Sequence, residues 1–530
     1  MLERRSGWPS AHRRAAPAAA IALACALALA GACELREGER FGRAGAAAGV
    51  LRVHVPVSVV EWDPPRAADE LERAVARQLF ATLLDADGQP QLARAVTVGA
   101  DGHTVVVELA GGARYSDGVP VDADAVIWSW RRALWRSTGT TDLEPFAAIA
   151  DGRALAEGRL LRVARTTVGH SAPFASVGEA PDEAPPLDLP AGTMVRVLDS
   201  NERRPCCGGS VALRREPDAG EALGALNAAD VGTVIGARTV AGRTFLLLRA
   251  SSGASGWAED RLLAVQVPPA SLLRVVDRSD GSAALRVGPE DDAPVRQTLA
   301  DDDVVEVLGG TEGWADAVDL RTGHLGFVPR RALEPLRGEQ QWLRVEPVDE
   351  GARATSRSWV ALRDLAFDAS ALGARATDAG TIAIACEGDA AAVLAALAHP
   401  ALAPVPPHVI AAHGRAWTEP ATIVTTGPFV PTVATPDRLT LVRSETALER
   451  PRVRLHRVEL VVIPDAIAAL HLYRAGELEV LLSLPGDLAP TLARASDHVA
   501  GPAGGGLVSP EVTGLSITRL DLRDVAVAAP

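Results

Sequence analysis

Cysteine and histidine carry the most specific chemistry available to a protein, so their spacing decides first what this sequence is equipped to catalyse. Cys206 and Cys207 are adjacent in "RPCCGGS", while Cys33 and Cys386 stand apart. A cysteine nucleophile needs a histidine base within hydrogen-bond reach and a third group to orient that base, and the sequence places neither beside the pair. A metal site needs a C-x-x-C pair or a Cys/His cluster at ligand spacing, and none occurs. His399, His408 and His413 share the stretch "AHPALAPVPPHVIAAHG", but the prolines between them prevent a single helical face. No G-x-S-x-G, H-E-x-x-H or phosphate-binding loop is present. Enzymatic chemistry, metals and cofactors are therefore not expected. Three aromatics share one setting: Trp257 in "SGWAED", Trp314 in "EGWADA" and Phe327 in "LGFVPR" each follow a glycine in a short strand-like run. They either offer a surface to a ligand or fill the cores of small sheets.

Composition agrees with a packed globular protein. At 530 residues, with 48% apolar and 23% charged side chains, the chain is globular and long enough for several domains. All 53 basic side chains are Arg, and a net charge of -14 argues against a nucleic-acid surface, which needs a basic face to neutralise phosphates. The N-terminus differs from the rest. Arg4, Arg5, Arg13 and Arg14 precede an apolar run, 15–30, shorter than the roughly 20 residues of a membrane-spanning helix, and "LAGAC" ends it at Cys33. This resembles a bacterial lipoprotein signal, which implies export to the cell envelope or periplasm and a lipid on Cys33 that anchors the chain to a membrane. Ala30-Gly31-Ala32 also reads as an ordinary cleavage site, which would leave Cys33 unmodified.

The elements that must position these residues fall into three textures. Between 51 and 162, "LRVHVPV" alternates like a strand, "ADELERAVARQLFATLL" has helical spacing, and "GHTVVVELAGGARYSDG" reads as a strand entering a turn. Asp122 or Asp124 is placed to cap a helix near Ala125, with Val126, Trp128, Trp130 and Leu134 on its packing side, so "WSW" reads as packing rather than a stacking platform. Residues 163–186 are rich in Pro, Ala and acid and read as a linker. From 187 to 338 short strands recur with Gly-rich turns, and 211–263 parallels 283–333 as an internal repeat. After 364 helix and strand patterns return. In "TTGPF", Gly427 permits a turn, Pro428 stiffens it and Phe429 anchors the next strand.

The repeat resembles bacterial SH3 domains, on Leu285 to Pro289 ("LRVGP"), Val304 to Leu308, Gly313-Trp314 and Gly326-Phe327-Val328, with Gly256-Trp257 in the first copy. The resemblance implies two small all-β barrels, 187–265 and 270–338, which fold independently of their host. It makes Trp257, Trp314 and Phe327 their candidate surface, with peptidoglycan as a partner.

The flanks carry a second resemblance. "YSDGVPVDADAVIWSWRRAL" (115–134), "WTEPATIVTTGPF" (417–429) and "IPDAIAALHLYRAGELEVLLSLP" (463–485) are similar, in this order, to the N-terminal half of the family 5 extracellular solute-binding proteins, the peptide receptors of bacterial ABC importers. What the resemblance implies is an α/β (α+β) lobe of the class II periplasmic-binding-protein type, lacking the C-terminal lobe, with its two parts at 51–162 and 364–530 after a signal at 1–32 and a linker at 33–50. It further implies a peptide or other small solute as ligand, an ABC permease as partner, and Val59, Val60, Glu61 and Phe146 as residues facing the ligand cleft. "LDLRDVAV" (520–527), which alternates like a half-buried strand, corresponds to the family's crossover into a second lobe, so weak binding of oligopeptides is expected. The alternative is an envelope-tethered interaction protein that uses the barrels to bind cell wall or protein partners.

Overall fold

The computed structural model describes residues 49–482 apart from 171–186, 207–208, 218–219, 229, 268–270, 277–282, 312, 337–340 and 349–356, and beyond these the pieces 499–500, 507–508, 512–513, 522–523 and 525–527. The signal segment, Cys33, Cys207 and most of the expected linkers lie outside the described residues. Among the described residues no helix is long and apolar enough to cross a membrane.

The first strand, Val50–Val55, sits inside a seven-stranded sheet, parallel to Arg457–Val462 on one side and to Val480–Leu481 on the other. Its alternation explains the placement. Leu51, Val53 and Val55 bury into a core with Leu79, Phe80 and Phe429, while Arg52 takes the opposite parity and forms a buried ion pair with Glu479. Helix Glu70–Leu79 packs on this sheet, its N-terminus capped by Asp69, which accepts the Glu72 N–H at 2.8 Å. Leu522 and Val525 are buried in the same core, and Arg523 pairs with Asp85 and Glu449. Of the strand expected over 520–527, the described residues include Ala526–Val527, paired with Val512–Thr513.

A second, four-stranded antiparallel sheet joins Ala93–Val98 and Thr104–Leu109 to Thr381–Ala385 and Ala374–Asp378. Helix Ala123–Ala133, capped by Asp122 at 2.8 Å, packs against it through Val126, Ile127 and Trp130. Trp130 is fully buried and its Nε1 donates to the Leu402 carbonyl at 2.8 Å; the Tyr115 hydroxyl donates to that of Val405 at 2.9 Å. Segments on either side of the all-β region are thereby one folded unit, and "WSW" is packing.

The all-β region forms three antiparallel sheet units of matching connectivity, referred to as barrels, where two are expected from sequence. The first orders its strands Ala222–Leu226, Val211–Arg214, Ser255–Glu259, Arg243–Ala250, Gly232–Val240, Glu202–Pro205, Leu263–Val265. The second repeats that order as Val295–Thr298, Ala284–Arg286, Leu325–Pro329, Trp314–Asp319, Val304–Gly310, Leu272–Val275, Leu333–Pro335. The third is Ser358–Ala361, Trp342–Pro347, Met194–Ser200, Leu160–Val163, Leu365–Phe367, with the hairpin Thr167–Gly169/Leu187–Leu189 bridged to it through His170 and Trp359. In each, one 3-10 turn precedes the last strand: Asp260–Leu262, Arg330–Ala332 and Leu362–Asp364.

The arrangement is a nested insertion. The chain leaves the lobe and re-enters it at the paired residues Leu161 and Phe367, and leaves the third barrel for the other two and returns at the paired residues Ser200 and Leu343. Because each excursion ends beside its start, the host closes around it with little distortion. The boundaries expected from sequence are corrected accordingly. Met194–Ser200 belongs to the third barrel and not to the first, the stretch read as a linker at 163–186 begins with a strand, and 364–530 opens on the third barrel's last strand. The cores of the first two barrels are aliphatic, around Leu213 and Leu248 and around Leu285 and Val305; Trp257, Trp314 and Phe327 belong to neither and are half-buried.

The second barrel is docked on the lobe. The buried Glu306 carboxylate accepts the backbone N–H groups of Arg136 and Ser137 at 2.8 and 2.6 Å and the Ser271 hydroxyl at 3.2 Å. Arg415 N–H donates to the Thr322 carbonyl at 3.0 Å. Around that bond the two backbones touch: a Cβ on Gly414 would lie 2.5 Å from the Thr322 oxygen, and one on Gly323 2.8 Å from the Arg415 nitrogen. Only glycine admits so close an approach.

Candidate functional site

Ligands of sheets with parallel strands gather beyond the carboxyl ends of those strands. The loop that follows Val50–Val55 is therefore the place to look, and it is fixed by its own side chains. Trp62 Nε1 donates to the Val59 carbonyl at 3.3 Å, the Asp63 N–H to Glu61 Oε1 at 3.0 Å, and Arg66 Nε meets Glu61 Oε2 at 2.7 Å. Asp63 is buried and takes both guanidinium nitrogens of Arg132, at 3.0 and 2.5 Å. That guanidinium also lies over the Trp417 ring, 5.5 Å from its centroid.

The loop borders a cleft of about 240 Å³ between the lobe and the second barrel. Val60, which is 82% exposed, and Glu61 line it together with Trp135 and Trp417 on the lobe side and Val318 and Leu325 on the barrel side. Val59 lies next to the cleft and contributes its carbonyl to the loop's bracing. Phe146 does not reach it. It is fully buried in the core around Ile149 and Leu155, because the 3-10 turn Glu144–Ala148 presses it inward, and the expectation that it faces a ligand is corrected. Sequence reasoning missed Trp135 and Trp417. Trp417 was visible in "WTEPATIV", but its position beside Arg132 depends on contacts between residues far apart in the chain. A second cleft, of about 280 Å³, lies on the far side of Arg136; its carboxylate, Glu306, is already occupied by the docking bonds.

Trp257, Trp314 and Phe327 are not brought together with the cleft residues. Trp257 and Phe327 instead hold equivalent places in their barrels, each bridging to an Arg-bearing strand at Arg214 and Arg286, and Trp359 holds that place in the third barrel.

The chemistry weighed from sequence stays dispersed. Burial, followed by the charges of Asp101 and Asp389, pushes the Cys386 thiol up and keeps it protonated. His408 pairs with Asp117 at 2.7 Å, His399 accepts the Ala401 N–H at 3.2 Å, and burial lowers the His399 pKa. Among the described residues no group of His, Cys, Asp and Glu is arranged to hold a metal ion.

The family model of the bacterial extracellular solute-binding proteins, family 5, matches residues 88–160 and 340–517. These two segments make up just under half of the chain, and through them it is similar to that family. Its relatives include the Escherichia coli K12 probable deoxycholate-binding periplasmic protein YgiS, 33% identical over 138 residues that make up 23% of this chain and 25% of that one. The E. coli K12 periplasmic oligopeptide-binding protein OppA is 28% identical over 110 residues, 21% of this chain and 20% of that one. The solved structure of the unliganded open form of the murein tripeptide-binding protein MppA aligns with 14% identity and a TM-score of 0.44 over 86% of this chain and 50% of its own. The matched stretches are thus a quarter or less of these curated relatives' lengths.

Proposed function

We propose that this chain is an exported, lipid-anchored solute-binding component of an ABC import system, which holds a peptide or other small solute beside the loop 56–63 and delivers it to a membrane permease. The observation that carries the proposal is the cleft itself: a braced loop at the carboxyl end of a parallel strand, in a lobe assembled around the two family segments. The relatives named for oligopeptides and for deoxycholate give the ligand classes to try first. Catalysis forms no part of this reading.

The test is calorimetry of the purified chain against peptides of two to six residues and deoxycholate. Saturable binding of at least one supports the proposal; no binding to any of them overturns it. Anchoring is tested separately. Lipidation at Cys33 predicts mature chain in the membrane fraction and its release by Cys33→Ala; an unmodified N-terminus at Cys33 or Glu34 by mass spectrometry contradicts it.

The barrels are proposed as three SH3-like domains. The recurrence of a half-buried aromatic at one position, Trp257, Phe327 and Trp359, favours a second role in contacting envelope partners such as peptidoglycan. Retention of the chain on purified cell wall, weakened by Trp257→Ala or Trp314→Ala with the fold intact, is the expected result; absence of retention removes the role.

A further inference from the structure

We infer that the second barrel is a wall of the solute cleft, and that the cleft takes a small carboxylate with an apolar or aromatic body, no larger than about a dipeptide. The inference rests on the solute-binding reading above and narrows it.

Three observations carry it. First, the barrel lines the cleft directly through Val318, Gly323 and Leu325, opposite Val60 and Trp417 of the lobe. The width between these walls is set by main-chain contact, since the Gly323–Gly414 approach admits no Cβ and the Arg415 N–H is bonded to the Thr322 carbonyl. On the other side Glu306 holds Arg136 and Ser137, and Arg296 donates to the Ala411 carbonyl. Widening the cleft means breaking these bonds together, those of Glu306 and Arg296 being charge-assisted, which is costly.

Second, the volume is about 240 Å³, below the roughly 300–1,000 Å³ of pockets that enclose drug-sized ligands. An extended oligopeptide exceeds this volume, so most of its length would lie outside the cleft and add little to its affinity.

Third, the charges are unevenly committed. Glu61 is paired with Arg66, and Asp63 with Arg132. Arg415 is exposed at the cleft, and its guanidinium donates to a carbonyl, that of Leu320, at 2.7 Å, with no carboxylate partner among the described residues. A guanidinium with free donors is suited to a bidentate carboxylate. Val60, which is exposed, and the half-buried Leu325 supply apolar surface for the rest of the ligand, backed by the buried Trp135, Trp417 and Ile410.

The experiment is calorimetry of the full chain with alanyl-phenylalanine, its C-terminal amide, hexa-alanine and deoxycholate. Expected are saturable binding of the dipeptide, at least tenfold weaker binding of the amide, and no binding of hexa-alanine. Arg415→Gln should cost the dipeptide at least tenfold and leave the already weak amide unchanged. Leu325→Trp, which fills the cleft from the barrel side, should abolish binding at an unchanged melting temperature; if that variant does not fold, Val60→Trp, at an exposed position, carries the same test from the lobe side. Equal affinity for acid and amide, tighter binding of hexa-alanine or deoxycholate than of the dipeptide, or full affinity in both tryptophan variants overturns this inference and leaves the solute-binding reading standing. Failure of all four compounds to bind overturns both.

Discussion

Replacing Glu306 by alanine should loosen the second barrel from the lobe. The carboxylate is completely buried and accepts three hydrogen bonds, two of them from the Arg136 and Ser137 amides of the lobe at 2.8 and 2.6 Å. Without it, two part-buried N–H groups lose a charged acceptor, at about 1–3 kcal/mol each, partly relieved by water entering the space. We expect a loss of about 3 kcal/mol from docking, which at about 1.4 kcal/mol per power of ten is on the order of a hundredfold in the docked-to-undocked ratio. Native-state hydrogen exchange reads this at chosen amides. Arg136 and Ser137 should lose protection in either a local or a concerted response. The Arg415 amide bonds across the same interface to Thr322 and does not touch Glu306, so it should lose protection by a similar factor only if the barrel moves as a body. An unchanged Arg415 amide would refute the argument that Glu306 latches the whole barrel.

Other consequences are testable on stability alone. Burial pushes the Asp316 carboxyl up to about 6 against an ordinary 3.8, so its ionised form is penalised in the fold; the penalty is absent below about pH 4, grows between pH 4 and 6, and is complete above. Asp316→Asn should therefore stabilise by about 1–3 kcal/mol at pH 7 and by nothing at pH 4, and equal effects at both values in denaturant titrations would contradict the cause given. A Cβ on Gly427 would meet the Gln78 oxygen and the Leu79 carbonyl carbon at 2.6 Å, so Gly427→Ala should cost about 1–3 kcal/mol of lobe stability; a neutral result in chemical unfolding would show that the helix end yields. Residues 159–368, which hold all three barrels, should resist protease better than 187–338, which carries Met194–Ser200 without its partner strands; equal resistance would show that those pairings contribute little.

The parts of the fold legible in the sequence are those whose signals are local. The helix capped by Asp122 follows from its spacing, and the first two barrels follow from repeats unbroken along the chain. The third barrel has the same signature, since "SWVALRDLAF" at 358–367 matches "GFVPRRALEP" at 326–335, but its front half lies before residue 201 and its back half after 341. Reading the repeat as contiguous hid it. Val60 and Glu61 are pointed to by the family resemblance because the loop follows a strand that alternation identifies, and both line the cleft. Phe146 failed because an aromatic in a loop-like stretch reads the same whether it turns inward or outward. Glu306 gave no signal at all: in "VVEVL" it occupies an ordinary strand position, and only the lobe packed over it makes that position buried. Gly427 was read as a turn residue, whereas its need is steric, imposed by the end of helix Glu70–Leu79.

The most direct test of the central claim is a hydrogen-exchange footprint of the full chain with and without saturating alanyl-phenylalanine. A cleft between lobe and barrel predicts added protection at 56–66 and at 318–325 in the same titration, and none around Trp257. Protection of only one of the two segments, or protection centred on the barrel aromatics Trp257, Trp314 and Phe327, would contradict it.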